Sequence, residues 1–158
     1  MTRRVMVVAS AGGHWVQLFR MRPAWAGCAV IYVTTDPGYG AEVVADAAAR
    51  GEPEPAYRTV TDANRWQKLR LARQALEIGW LVLRRRPQAI VTTGAAPGYF
   101  ALRFGRLIGA RTIWVDSIAN AEELSLSGAR AGRHSDLWLT QWPQLARPDG
   151  PDHKGAIL

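Results

Sequence analysis

The stretch Arg4-Val-Met-Val-Val-Ala-Ser-Ala-Gly-Gly-His14 decides how this chain is expected to fold. A valine-rich apolar run ends at two glycines and a histidine, and a segment compatible with a helix follows. This order predicts a buried strand, a turn without side chains and a helix N-terminus, an arrangement with which parallel sheets bind anions. His14 adds an imidazole, the side chain that titrates nearest to neutral pH. We therefore predict a site for a phosphate-bearing ligand, with a group able to transfer a proton beside it.

The remainder of the chain alternates strand-like apolar runs with helical segments. Strands are predicted at 5–9, 30–34, 56–60, 89–93, 112–116 and 137–140, and helices near 14–23, 39–50, 65–86 and 98–109. Strands that are apolar on both faces and alternate with helices are typical of a parallel sheet covered on both sides. We predict an α/β fold with a doubly wound parallel sheet, formed by residues 1–158 as a single domain. The segment 155–158 is predicted to begin a final strand.

Three loops that directly follow predicted strands carry small or polar residues. They are Ser10-Ala-Gly-Gly-His14, Thr92-Thr-Gly-Ala-Ala-Pro-Gly98 and Asp116-Ser-Ile-Ala-Asn120. Because the carboxyl ends of parallel strands meet at one edge of the sheet, ligands bind at that edge near a reversal of strand order. The three loops are therefore expected to share one cleft.

The charge of the chain favours an anionic partner. Lysine and arginine number 20 against 13 acidic residues, giving a formal charge of +7, and 18 of the 20 cations are arginine. Arginine binds phosphate and carboxylate through its planar fork, so a lipid diphosphate, a membrane surface or a nucleic acid fits the composition. We expect no nucleic acid, because the arginines are dispersed and no RNA- or DNA-binding motif accompanies them. Cys28 is the only cysteine, as expected in a reducing compartment.

No segment resembles a targeting or membrane-spanning sequence. Met-Thr-Arg-Arg runs directly into the first predicted strand, without the apolar region of a signal peptide. No window approaches the run of about 18 apolar residues that a membrane-spanning helix requires. We expect a cytoplasmic protein whose contact with the inner face of the cytoplasmic membrane, if it makes one, is peripheral.

The predicted helix at 65–86 is apolar over more than half of its circumference. One stripe comprises Trp66, Leu69, Ala72, Leu76, Trp80 and Leu83, a second comprises Leu71, Ala75, Ile78 and Val82, and the polar arc holds Gln67, Arg70, Arg73, Gln74 and Glu77. A helix lying on a sheet needs an apolar arc of only about 100°. Most of these residues are expected in the core. The excess, which ends at Arg84, Arg85 and Arg86, suits a second helix, another chain or a membrane interface.

Five ordered motifs carry a resemblance to a known family: "SAGGH" at 10–14, "VTTGAAPG" at 91–98, "IWVDSIAN" at 113–120, "LSLSG" at 124–128 and "LTQWP" at 139–143. They resemble the acceptor-binding half of two-chain N-acetylglucosaminyltransferases. The eukaryotic member is the membrane-recruiting subunit of the enzyme that adds the second GlcNAc to dolichol-diphosphate-GlcNAc. Bacterial members are exopolysaccharide and capsule glycosyltransferase subunits, which this chain resembles more closely.

The resemblance implies a GT-B architecture divided between two polypeptides. This chain would be the Rossmann-like N-terminal half, and a separate donor-binding subunit would bring the UDP-sugar and complete a heterodimer. The implied reaction transfers a sugar from UDP-GlcNAc to a lipid-linked diphosphate sugar in polysaccharide or glycolipid biosynthesis. Many members begin with a hydrophobic anchor helix that this sequence does not show, so membrane attachment would fall to the segment 65–86 or to the partner.

Residues matching the family motifs define the expected site. The resemblance places Gly12, Gly13 and His14 by the acceptor diphosphate and the reacting hydroxyl. The small-residue loop matches Thr93, Gly94, Ala95, Ala96 and Pro97, the acidic position matches Asp116, and Asn120 is a further candidate for acceptor binding. A reacting hydroxyl must lose its proton, so His14 is the candidate base, with Asp116 as the alternative base or as the group that orients the imidazole.

Two other functions remain open from the sequence. A dinucleotide-binding domain would use Asp36, about 20 residues after the glycines, as its ribose-binding acid, but Ser-Ala-Gly-Gly-His departs from the usual glycine pattern. A non-catalytic recruitment module would bind partner or membrane without performing chemistry. His134 and His153 are expected in solvated loops. We expect no metal and no cofactor on this chain, because the histidines lack ligand spacing and no Asp-x-Asp pair is present.

Overall fold

The computed structural model describes residues 2–157, which form a parallel sheet covered by helices. The strands are β1 Arg4–Val8, β2 Ala29–Thr34, β3 Ala56–Thr59, β4 Ala89–Thr92, β5 Arg111–Val115, β6 Leu137–Thr140 and β7 Asp152–His153. The α-helices are α1 Gly13–Arg20, α2 Gly40–Ala49, α3 Lys68–Arg85, α4 Ala95–Leu107 and α5 Leu126–Ala131. Each strand of the sheet runs parallel to its neighbours.

The order of the strands is β3-β2-β1-β4-β5-β6-β7. The chain builds outward from β1 to β3, returns through α3, and builds outward in the other direction from β4. The strand order therefore reverses between β1 and β4, where α/β sheets bind their ligands. The predicted doubly wound parallel sheet is confirmed.

Alternating side chains of the strands bury one apolar cluster on each face of the sheet. Met6 and Val8 point to the face covered by α3 and α4, where they join Ile78 and Leu102. Val5 and Val7 point to the opposite face and join the buried side chains Trp15, Leu18 and Val43 of α1 and α2. The two clusters hold the sheet from both sides and leave the carboxyl ends of β1, β4 and β5 open at one edge.

Several elements differ from the predictions, among them α1, which ends at Arg20 rather than near 23, and α3, which begins at Lys68 rather than near 65. The last strand is Asp152–His153, paired with Leu139 and Thr140, whereas 154–157 form no strand and Leu158 lies outside the described residues. A strand of two residues is too short to produce an alternating pattern. Helix α4 begins at Ala95 rather than near 98, because a proline fits the first turn of a helix, where its missing N–H removes no bond. The short helix α5 was not predicted.

The orientation of α3 overturns the expected burial of its apolar residues. Most residues of the two stripes were expected in the core, but the first stripe is exposed at Trp66 (78%), just before the helix, and at Leu69 (88%), Leu76 (74%), Trp80 (61%) and Leu83 (53%) within it. Gly79 faces inward instead, since a Cβ there would lie 3.0 Å from the Phe104 ring of α4. This close approach turns the first stripe outward, and the prediction for it is wrong.

The predicted polar arc of α3 is also partly buried. Gln74 is fully buried, and its Nε2 donates to the Thr61 carbonyl at 2.8 Å. The Glu77 carboxylate accepts from the Thr61 amide at 2.6 Å and from Arg73 at 2.8 Å. The loop before α3 thus obtains its hydrogen bonds from a helix face that the sequence pattern assigned to solvent. Among residues 2–157, no helix combines the length and apolarity needed to cross a membrane.

Candidate active site

A cavity of about 580 Å³ opens at the edge where the sheet reverses its strand order. Its wall includes the candidate residues His14, Ala95, Ala96 and Asn120. The start of α1, the start of α4 and the loop after β5 therefore meet at one cavity, as expected from the three loops. Gly12 and Gly13 lie beside it at the exposed start of α1, and Thr93 and Gly94 lie beneath His14.

The imidazole of His14 is held by the end of β4. Its Nδ1 lies 2.9 Å from the Thr93 carbonyl oxygen, and the Thr93 hydroxyl donates to the His14 carbonyl at 2.6 Å. A carbonyl can only accept, so the neutral ring carries its proton on Nδ1 and presents Nε2 as an acceptor. Nε2 has no hydrogen-bond partner among residues 2–157. The site thus holds a half-buried imidazole in the tautomer that a general base requires.

Gly94 makes room for this ring. A Cβ at Gly94 would lie 2.9 Å from both Nδ1 and Cε1 of His14, and the backbone there has a φ of +129°. Both facts favour glycine, because other residues rarely adopt this conformation and would press on the imidazole. The Gly94 amide donates to the Thr92 hydroxyl at 3.1 Å, which fixes the turn from β4 into α4.

Helices α1 and α4 both begin at this edge without a capping side chain. Neither has a side-chain acceptor at its N-cap, and neither has an acidic residue in its first turn. The Gly12 amide is weakly engaged by the Tyr39 hydroxyl at 3.3 Å, and Gly12 has a φ of +81°. Uncapped helix N-termini carry free amides and a partial positive charge, which attract anions.

Asp116 is a buried centre of hydrogen bonds. Its carboxylate accepts from Trp114 Nε1 at 3.0 Å, Asn120 Nδ2 at 3.0 Å, and the Ser125 amide and hydroxyl at 3.1 and 2.7 Å. It is 1% exposed, and a Cβ on Gly128 would lie 2.2 Å from its Oδ1. The structure joins His14 to Thr93 rather than to Asp116, and it joins Asp116 to Asn120 and to the start of α5.

A second buried network, which the sequence did not indicate, is centred on Gln17. Its Nε2 donates to the Ser117 hydroxyl at 3.1 Å, and its Oε1 accepts from the Ile118 amide at 3.0 Å and from Gln141 at 2.6 Å. Gln17 therefore ties α1 to the loop after β5. The available signal was a polar residue beside Leu18 on the buried side of a predicted helix. The cavity wall also includes Arg65 and Arg130, which no motif indicated.

The remaining candidate residues lie away from the cavity. His134 is half-buried in a short helical turn, 3.5 Å from the Tyr99 hydroxyl, and burial followed by nearby Arg103 lowers its pKa. His153 belongs to β7, with Nδ1 3.3 Å from the Thr140 carbonyl, so the prediction of solvated loops is wrong for both histidines. Asp36 accepts from the Gly38 amide at 2.7 Å and caps a helical turn.

Metal ligands are not grouped in the part of the chain that the structure describes. Within residues 2–157, no cluster of three or more His, Cys, Asp or Glu side chains is placed to hold a metal ion. The chemistry that the cavity offers comes from an imidazole, two arginines, serine hydroxyls and main-chain amides.

The comparison with solved structures defines the class of fold. The structure of MurG from Acinetobacter baumannii superposes with a TM-score of 0.72 at 13% identity, over 98% of this chain and 45% of MurG. A UDP-N-acetylglucosamine 2-epimerase from Rickettsia bellii superposes with a TM-score of 0.63 at 12% identity, over 91% of this chain and 40% of the epimerase. The chain has the Rossmann-like α/β fold of these proteins and spans less than half the length of each.

The comparison of sequences is more specific. The chain is 29% identical over 175 aligned positions to the UDP-N-acetylglucosamine transferase subunit ALG14 of Eremothecium gossypii, covering 92% of this chain and 75% of that protein. No family model matches the sequence. The chain is therefore similar to a glycosyltransferase subunit over most of its length, and its fold is one that glycosyltransferases use.

Proposed function

We propose that this chain is the acceptor-binding subunit of a UDP-sugar-dependent glycosyltransferase, with UDP-GlcNAc as the donor. The observation that carries the proposal is the His14 imidazole on the cavity wall, with Nδ1 bound to Thr93 and Nε2 available to accept a proton. The similarity to a UDP-N-acetylglucosamine transferase subunit supports the same reaction class. The fold alone supports no particular reaction, because an epimerase shares it.

The acceptor is a sugar linked to a lipid through a diphosphate, as in polysaccharide or glycolipid biosynthesis. The uncapped starts of α1 and α4, with the Gly12 and Gly13 amides, suit a diphosphate. Arg65 and Arg130 add positive charge to the cavity wall. Leu71, Phe100 and Leu126 give the same cavity an apolar side, which suits the first part of a lipid chain.

The proposed reaction uses His14 as the general base. The acceptor hydroxyl oxygen forms a bond to the anomeric carbon of the donor, the bond from that carbon to the UDP oxygen breaks, and UDP leaves with the electron pair. The hydroxyl proton passes to His14 Nε2. A positioned base of this kind contributes about 10²–10⁴-fold to the rate.

Asp116 acts in this proposal as a positioning residue. Its two oxygens already accept four hydrogen bonds, and it is buried away from the cavity wall. By holding Asn120 and Ser125, it fixes two residues that line the same cavity as His14. Asn120, Thr93, Gly94, Ala95 and Ala96 are proposed to shape the acceptor site.

The donor site belongs to a second chain in this proposal. The relative with which the chain aligns is itself described as a transferase subunit, which supports a heterodimer. A recruitment module without chemistry is the second candidate, favoured by the exposed apolar residues of α3. The two candidates differ in what they require of His14.

Reconstitution with a candidate donor chain tests the proposal. Transfer of radiolabelled GlcNAc from UDP-GlcNAc into a lipid extract is measured with each chain alone and with both. We expect activity only with both chains, and a loss of about 10²–10⁴-fold for His14→Ala with copurification of the two chains unchanged. His153→Ala, which alters an imidazole outside the cavity, is the matched control. Full turnover by His14→Ala would support the recruitment module, and activity of this chain alone would contradict the two-chain enzyme.

A further inference from the structure

The outward side of α3 carries a row of large apolar side chains that are exposed in the described chain. We define the outer face of α3 by Leu69, Leu76, Trp80 and Leu83 of the helix together with Trp66 in the turn just before it, each more than half exposed. At about 1.5 Å per residue, the distance from Leu69 to Leu83 is about 20 Å along the helix. Soluble proteins rarely expose so many large apolar side chains in one row, which marks an interaction surface.

The charges around this face favour an anionic partner. Residues 68–85 contain Lys68, Arg70, Arg73, Arg84 and Arg85 but only one acid, Glu77. At 100° per residue, Arg70, Arg73 and Arg84 follow the apolar stripe along one side. Glu77 is already engaged by Thr61 and Arg73. The face therefore presents apolar side chains bordered by Arg70 and Arg84, neither of which forms an ion pair within residues 2–157, and by Arg73, which is paired with Glu77.

Both tryptophans of the face are paired with arginine. The Arg65 guanidinium carbon lies 4.8 Å from the centre of the Trp66 ring, and that of Arg84 lies 5.8 Å from the Trp80 ring. Tryptophan prefers the boundary between hydrocarbon and water, and a nearby arginine reaches the phosphates of that boundary. One pair stands just before the start of α3 and the other near its end, so both ends of the outer face carry a tryptophan with an arginine beside it.

We infer that the outer face of α3 docks on an anionic lipid bilayer, with its leucines and tryptophans in the interfacial zone and its arginines on the headgroup phosphates. A second copy of this chain is a poorer occupant, because pairing the same faces would bring arginine against arginine. The inference stands on α3 and does not depend on the proposed reaction. It also implies that the cavity lies close to the bilayer surface. Arg65 and Leu71 of the cavity wall are near Trp66 and Leu69 of the outer face in the sequence.

Vesicle cosedimentation of the purified chain tests this surface. We expect binding to mixed phosphatidylcholine and phosphatidylglycerol vesicles, weaker binding to pure phosphatidylcholine, and weakening by salt. Leu69→Gln with Trp80→Gln should reduce the partition coefficient at least about tenfold. Leu107→Gln, which alters a leucine that is 77% exposed on α4, should leave it unchanged. Arg70→Gln with Arg84→Gln should also cost about tenfold, and the equally charged control Arg20→Gln with Arg147→Gln should cost much less.

Quenching by brominated lipid locates the contact. The wild-type fluorescence should be quenched on binding, and Trp66→Phe with Trp80→Phe should keep most of the binding while losing most of the quenching. Absence of binding to the mixed vesicles would overturn the inference, as would equal losses in the α3 and control variants, or quenching that survives in the phenylalanine variant. Loss of the donor chain from Leu69→Gln with Trp80→Gln, with vesicle binding intact, would instead identify a protein interface. No donor or acceptor sugar is needed, so the outcome is separate from the His14 experiment.

Discussion

The sheet edge around His14 and the outer face of α3 are organised in opposite ways. At the edge, polar groups satisfy one another: Thr93 and His14 exchange two hydrogen bonds, and Asp116 accepts four. On α3, large apolar side chains remain exposed. Interactions inside the chain satisfy most polar side chains of the first region and leave His14 Nε2 and the uncapped helix starts for a ligand, whereas the inferred bilayer contact would cover the second region. The comparison teaches that two different signals mark sites in one fold. Hydrogen-bonded polar side chains at the sheet edge mark the candidate ligand site, and exposed apolar side chains on α3 mark the candidate docking surface.

The largest expected difference between the two regions is in stability. Asp116→Ala should lower the free energy of unfolding by roughly 4 kcal/mol, because buried donors of Trp114 and Ser125 lose their acceptor. Leu76→Ala on the outer face should change it by less than about 0.5 kcal/mol, as for other exposed positions. Urea denaturation of both variants measures the contrast. Similar values for the two would show that the comparison is wrong.

A smaller effect is expected at Gly94, where the site depends on a missing side chain. Gly94→Ala should cost about 2 kcal/mol, because the new methyl group would be strained at a φ of +129° and would press on His14. Gly109→Ala is the matched control: it also has a positive φ, +74°, but a Cβ there meets nothing within 4 Å. Only Gly94→Ala should shift the NMR resonances of the His14 ring. An unshifted ring in Gly94→Ala would contradict the close contact.

The smallest effect is the pH dependence of stability that Glu77 produces, a residue of α3 bonded to Thr61 and Arg73. Burial opposes ionisation, but hydrogen bonds from Thr61 and Arg73 outweigh it and lower the pKa of Glu77. Its contribution to stability is therefore fully present above the unfolded pKa and is lost as the pH falls through the folded pKa. Relative to Glu77→Gln, the wild type should lose less than about 1 kcal/mol between roughly pH 5 and pH 3. Parallel stability profiles for the two proteins would rule out this linkage.

Local sequence signals predicted most of the fold. The runs that became β1, β2 and β4 are apolar on both faces, so their positions and parallel arrangement followed from composition and alternation with helices. The glycines before His14 marked the turn at the ligand edge. These features depend on residues within a few positions of one another, which a sequence displays directly.

The features that the sequence did not predict depend on distant residues. Two apolar stripes on α3 were visible, but the choice of the buried one depends on Gly79 meeting Phe104 of α4. Gln17 finds Ser117 a hundred positions away, and a periodic pattern carries no information about such a pair. Asp116 stood out as an acid after a strand, but its four hydrogen bonds from Trp114, Asn120 and Ser125 depend on how the loop folds, even though these three residues are near it in sequence. Long-range contacts therefore decided which candidate groups reach the cavity.

The partner of His14 Nδ1 has a consequence for repeated turnover under the proposed mechanism. A main-chain carbonyl orients the ring as well as a carboxylate would, but it carries no charge. Because the carbonyl holds the proton of the neutral ring on Nδ1, Nε2 is the ring nitrogen left to take the hydroxyl proton, and the ring must release one proton to return to this tautomer. The geometry between Thr93 and His14 therefore fixes which nitrogen accepts the proton in every turnover, without adding a charge to the site.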